Sequence, residues 1–448
     1  MTKTCRGRSF FDDSRRAPRR FFPFVAMTVW LLVALLAAPA AAAPPATTGT
    51  SWWLNLRSTA YAYQTDEAAG TTRDHLRAYQ HVSGTVTGLA GGRIKLRASS
   101  RVAGDPGYNG TGDDVTRLYT AYAEIRLDPR LKARVGRQYL REGVAGLTLD
   151  GLWLSLRPDK RVDVSLWGGA RAPYAHDLEV GRLSDDSAYG GRIGYTVSPD
   201  LRLAVSGAVR ERNGLTAERP LGLEATAAAL RSLRVTGRLT YDLEHEDWGR
   251  MEAYARWMPA PDLPVLTVQL IDRRPAIDAA SYFARFTDMK RIRMARAVAR
   301  YETSERFGGE LEYTGTFIDD RKSSRLGAAV LLPDARLGYS LRLGDAGEES
   351  AFYGDVQRRL MSWLWVSGHA SLVTYALLED ASPRDERELT TLSAGLRADL
   401  RPGLRLTAEV QSIKTPTYDE DVRLLVGLNL SMARGVSRLG LDRGGWLR

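Results

Sequence analysis

Nine arginines stand at alternate positions in runs that also carry leucine, valine and isoleucine. That spacing would gather guanidinium groups on one face of a β-sheet. Arg93 and Arg97 alternate with Ile94, Leu96 and Ala98, and Arg202 and Arg210 with Leu201, Leu203, Val205 and Val209. Arg234 and Arg238 alternate with Leu233, Val235 and Leu239, and Arg336 and Arg342 with Leu337, Leu341 and Leu343. Arg405 and Glu409 alternate with Leu404, Leu406 and Val410. Guanidinium keeps its charge at any working pH and presents a rigid fork of donors that fits carboxylate or phosphate. Two uses are open to such rows. They either pair with carboxylates of the same chain and brace it, or line an aqueous space that favours anionic solutes. Acids on the same faces (Asp242, Glu244, Asp399, Glu409) are fewer than the arginines.

Other chemistry is sparse. The five histidines are scattered, and only His245 has acidic company, in Asp242, Glu244, Glu246 and Asp247. Aspartate beside histidine at the rim of a barrel could serve a hydrolase, but a solvated acidic loop tip accounts for the cluster more simply. Gly-x-Ser-x-Gly elbows, phosphate loops and dinucleotide fingerprints are missing from any supporting context. The expectation is a protein that is not an enzyme, with no catalytic residues, no cofactor and no metal site.

The first 23 residues carry seven cations against two acids, followed by an apolar run from Phe24 to Ala38 and the small residues Ala40 to Ala43. This is the layout of a secretory signal peptide, and the run is short of the roughly 20 residues that a spanning helix wants. Residues 1–42 therefore read as a cleaved leader and 43–51 as a short periplasmic lead. Removing the leader takes five from the net charge of +10, leaving about +5, too mild a balance to argue for nucleic acid. The single cysteine, Cys5, goes with the leader, which excludes disulfides and thiolate metal sites in what remains.

From Trp52 to Ala433, about twenty-two segments alternate apolar and polar side chains with a period of two, or twenty if one pair is over-counted. Compact turns rich in Pro, Asp and Gly (Gly91-Gly92, Asp128-Pro129-Arg130, Pro158-Asp159-Lys160, Pro199-Asp200, Pro333-Asp334, Arg401-Pro402-Gly403) alternate with looser connections such as 102–114, 172–187 and 319–324. An even strand number with short connections on one side and long ones on the other is the pattern of a transmembrane barrel. The predicted fold is thus all-β. It is a single closed up-and-down antiparallel transmembrane β-barrel over 52–433, with short periplasmic turns, longer extracellular loops and a loose C-terminal tail at 434–448. Trp52, Trp53, Trp153, Trp167, Trp257, Trp363 and Trp365 sit in or beside strands, where aromatic girdles are expected.

The segment Val135-Gly136-Arg137-Gln138, followed by Asp150-Gly151 on the next strand, resembles a pairing found in large proteobacterial porin-like barrels, including alginate-export-type channels. The resemblance covers a short stretch. It implies outer-membrane transport in general terms and no particular substrate.

A ring of 22 strands would be about 44 Å across. Something must narrow it, and the segment 272–290 is the candidate. Arg273, Arg274 and Arg285 there accompany Tyr282, Phe283 and Phe286, a polar loop with aromatic anchors. Two functions follow as expectations. One is a channel in outer-membrane lipid for small hydrophilic, anionic solutes. The other is a structural sheath around a periplasmic or surface partner, such as a multihaem cytochrome or a lipoprotein. The chain has no Cys-x-x-Cys-His of its own, so any haem would be the partner's.

Overall fold

The computed structural model describes residues 49–66, 72–105, 115–260, 262–274, 290–304, 307–345, 347–376, 386–416 and 421–434. The expected leader (1–42), the expected tail beyond 434, and Tyr282, Phe283, Arg285 and Phe286 lie outside the described residues. Period-two alternation becomes strand after strand: β1 (Ser51–Asp66), β2 (Thr72–Gly88), β3 (Ile94–Gly104), β4 (Val115–Arg126), β5 (Leu131–Glu142), β6 (Ala145–Leu156), β7 (Val162–Arg171) and β8 (Asp186–Ser198). Then come β9 (Leu201–Arg212), β10 (Leu215–Glu218), β11 (Pro220–Leu230), β12 (Leu233–Asp242), β13 (Asp247–Trp257), β14 (Val265–Arg273), β15 (Ile292–Ser304) and β16 (Phe307–Ile318). The series ends with β17 (Arg321–Leu331), β18 (Ala335–Gly344), β19 (Glu348–Met361), β20 (Leu364–Ala376), β21 (Glu386–Arg401), β22 (Leu404–Lys414) and β23 (Asp421–Arg434).

Every strand pairs antiparallel with its neighbours, and β23 returns to β1 in register from Trp52–Arg434 to Ala62–Leu424, which closes the ring. β10 and β11 lie along the same edge of β9, interrupted at Arg219, so together they make one stave. The barrel therefore has twenty-two staves plus that one division. Closure of β23 on β1 leaves the ring without a terminal edge strand.

The expected alternation of connections holds, with local differences. At the end that carries both termini of the ring, Asp128 accepts the backbone N–H groups of Arg130 and Leu131, and Asp159 those of Arg161 and Val162. These aspartate turns are what the Asp-Pro and Pro-Asp pairs foretell. The turn between β2 and β3 instead uses Gly88, Gly91 and Gly92 at φ of 84°, 68° and 86°. At the opposite end the connection predicted over 319–324 shrinks to Asp319-Asp320, because β17 already begins at Arg321.

One face of the sheet is apolar and uncovered: Leu311, Leu326, Leu337, Phe352, Leu372 and Leu396 are all about half exposed or more. The other carries the arginines and carboxylates. The polar face is the interior, since the tip of the β5–β6 hairpin reaches across to it at Ser206 of β9. The tryptophans divide between the two. Trp257 and Trp363 are exposed, and Trp248 meets Tyr241 edge-on, as a girdle would have them. Trp153 and Trp167 are not girdle residues. They are buried on the interior face with Leu140, Ala145, Leu149 and Ala188. Trp365 also faces inward, under the guanidiniums of Arg397 and Arg359.

Candidate functional site

The interior core exists because one hairpin leaves the wall. β5 pairs with β4 only from Lys132 to Arg137, yet continues to Glu142, and β6 pairs with β7 only below Leu149. Beyond those points β5 and β6 pair with each other alone, up to Glu142–Ala145. The freed half lies against the inner face of β7, β8 and β9. Glu142 accepts the hydroxyl of Ser165, and the backbone N–H of Val144 donates to Ser206 Oγ at 3.1 Å. A side chain on Gly222 of β11 would strike Val144. Leu140 and Leu149 thereby become fully buried against Trp167 and Ala188, and this apolar contact holds the hairpin down.

The bend falls on Gly136 and Gly151. Gly136 has φ of 118°, and a Cβ there would lie 2.3 Å from the carbonyl oxygen of Ala121. A Cβ on Gly151 would come equally close to the carbonyl oxygen of Gly168. Beside them Arg137 grips Asp150 with two bonds of 2.7 Å, with side chains only 2% and 6% exposed. Its remaining donors go to the carbonyls of Leu118, Asp177 and Glu179. The last two belong to the connection 172–185 between β7 and β8. That connection also gives the Gly181 N–H to Asp150 and takes the Leu118 N–H of β4 on the His176 carbonyl. It thus spans from the displaced hairpin to β4 and fills the place in the wall that the hairpin vacated.

Six of the nine predicted arginines meet carboxylates. Arg202 pairs with Asp163, Arg210 with Asp186 at 3.0 Å, and Arg238 with Glu224 at 2.6 Å. Arg336 pairs with Glu310 at 2.7 Å, Arg342 with Glu349 at 3.5 Å and Arg405 with Asp399 at 2.6 Å. Arg93, Arg97 and Arg234 have no ion pair among the described residues; Arg234 stands directly opposite Arg256. Glu409 accepts from Gln411 at 2.7 Å. Arg210, Arg238, Arg342 and Arg405 thus brace neighbouring staves, while Arg202 and Arg336 each reach across one stave, to β7 and β16.

Of the residues predicted to constrict the ring, Arg273 and Arg274 lie among the described residues. They join residues from distant staves around a cavity of about 810 Å³ between the hairpin tip and the wall from β9 to β14. Seven arginines and three carboxylates line it, and His245 sits at its rim held by Asp242 at 2.6 Å. Arg141 and Arg250, both at this cavity, are absent from the predicted rows, as are Arg101 and Arg117 on the opposite wall. Arg141 lies on the sheet face that would point outward, and only the bend brings it inside. Arg101 and Arg117 flank the bulge at Ser99/Ser100, which breaks the simple period. Arg250 lies on the same face of β13 as Glu252, opposite Arg273 of β14.

No protein-family model matches the chain, and no curated protein matches it in sequence. Some solved structures are similar to it along most of its length. The P pilus usher (PapC) translocation pore is 11% identical over 85% of this chain and 99% of that one, with a TM-score of 0.49. Acinetobacter baumannii OccAB4 is 11% identical over 87% and 100%, with a TM-score of 0.41. The outer membrane protein OpdK from Pseudomonas aeruginosa is 10% identical over 86% and 99%, with a TM-score of 0.41. Identity at this level lends none of their activities to this chain.

Proposed function

We propose that the chain is a porin-like channel of a Gram-negative outer membrane, passing small hydrophilic, anionic solutes and narrowed by the β5–β6 hairpin. The observation that carries this reading is the pairing of an uncovered apolar exterior with a charged interior on one closed ring. Only a lipid surround makes that exterior favourable, and a charged interior of this size needs water. Excess guanidinium on the interior supports anions over cations, since the field of one sign raises the local concentration of the other.

The sheath alternative draws less support, because the chain's own hairpin occupies part of the space a partner would need. A partner in the remaining lumen is still compatible with the ring, and co-purification in mild detergent would find it. The direct test is reconstitution of the protein in planar bilayers under a potassium chloride gradient. Discrete conductance steps with a reversal potential displaced toward chloride are expected. A silent bilayer would remove the channel, and displacement toward potassium would remove the anion preference.

A further inference from the structure

We infer that the cavity between the hairpin tip and the β9–β14 wall is a binding site for small anions that carry two or more anionic groups. This deepens the anion-channel reading and rests on it for its biological sense, though not for its test. The volume, about 810 Å³, lies in the range of small-molecule sites.

Charge is the first argument. Of the three lining carboxylates, Glu218 is engaged by Arg210, Asp242 by His245, and Asp247 by Arg291 and Arg274. Two of the lining guanidiniums, Arg141 and Arg273, have no ion pair among the described residues. They stand on different walls, Arg141 on the hairpin and Arg273 on β14.

Like-charge crowding is the second argument. Arg273 lies directly opposite Arg250 in the β13–β14 register. Like charges facing across a ladder are unfavourable unless something neutralises them. Arg250 has Glu252 at 2.6 Å, yet its Nε is buried without a partner. An anionic group placed between Arg250 and Arg273 would relieve both faults, while a second anionic group on the same solute could reach Arg141. Tyr139, Val144, Ala145 and Pro220 offer apolar surface for the carbon body between the charges. A monovalent anion satisfies one end only, so the site should select by valence.

The test is calorimetric titration of the purified full-length barrel in detergent, at fixed ionic strength, with succinate, pyrophosphate and acetate. Succinate and pyrophosphate should both bind, with acetate weaker by about tenfold or more, the loss of one charge-assisted contact. The double variant Arg141→Gln/Arg273→Gln should lose about tenfold or more in succinate affinity. The double variant Arg130→Gln/Lys160→Gln, in turns at the far end of the barrel, removes the same charge and should bind as the parent does. Equal binding of acetate and succinate, unchanged affinity in the Arg141/Arg273 variant, or no binding of any probe would each overturn the site. Conductance measured on the same preparation separates the two readings. Succinate binding in a silent barrel would sink the channel and keep the site, and a conducting barrel that ignores succinate would do the reverse.

Discussion

Burying a guanidinium is tolerable only when its donors find acceptors, and Arg137 meets that condition with one carboxylate and three backbone carbonyls. Removing a single member of such a pair leaves the other charge uncompensated, which costs about 3–5 kcal/mol. Asp150→Asn should therefore lower unfolding stability by that order, read from tryptophan fluorescence in urea, where Trp153 and Trp167 report the nearby core. Arg137→Met combined with Asp150→Leu should cost clearly less than the sum of the single changes, because both charges leave together. Equal costs would mean that the pair is more solvated than its geometry implies. His176 supplies a pH dependence in the same neighbourhood. Burial, then the charges of Arg137, Arg117 and Arg171, hold it below its ordinary value, against the pull of Asp150; its ring meets Tyr119 and its Nδ1 is buried without a partner. The neutral form is the one the fold favours. Above the ordinary histidine value of about 6.5 both folded and unfolded states are neutral, and the contribution is complete. As pH falls below that value the unfolded state takes up the proton first, and stability is lost down through the depressed folded value. Backbone amides at 177–181 should thus exchange faster at pH 5.5 than at pH 7.5 after correction for intrinsic rates, and His176→Phe should abolish the difference. Identical protection at both pH values would sink this account.

At the scale of elements, the hairpin position can be tested by crosslinking. Val144→Cys with Ser206→Cys should form a disulfide on mild oxidation, since the backbone of one meets the side chain of the other at 3.1 Å although β7 and β8 stand between them in the ring. A hairpin standing in the wall would never bring them together. Little of this was open to sequence reasoning, and the reason is physical. Alternation assigns residues to faces, and from Val135 to Glu142 it puts Arg137, Tyr139 and Arg141 on the face of Val135 without showing that the strand leaves the wall. Tyr139 and Arg141 therefore read as outward-facing, while Trp153 and Trp167 read as girdle residues when they are the apolar seat of the bent hairpin. Local signals are those two outward arginines and the glycine pair, Gly136 and Gly151, inside the segment singled out for its resemblance to porin-like barrels. A glycine marks where backbones approach closely, but does not say in which direction the chain then turns.

For the whole molecule the sequence was far more informative. Strand number, closure and the separation of turn types follow from repeated local patterns, each of which must agree with the next for a ring to close. Even the divided stave β10–β11 left the count at twenty-two, because both pieces share one edge of β9. Cross-ring relations such as Arg141 with Arg273 have no local pattern at all. Seams between staves are far from equal. Six residue pairs join β4 to β5, whereas sixteen join β1 to β2 and eleven close β1 against β23. Above that short zipper the cylinder is sealed by a patch of ordinary loop threaded on one arginine. Under tension, or while the barrel is being assembled, this is where the cylinder would part, opening sideways toward the bilayer and not along its axis.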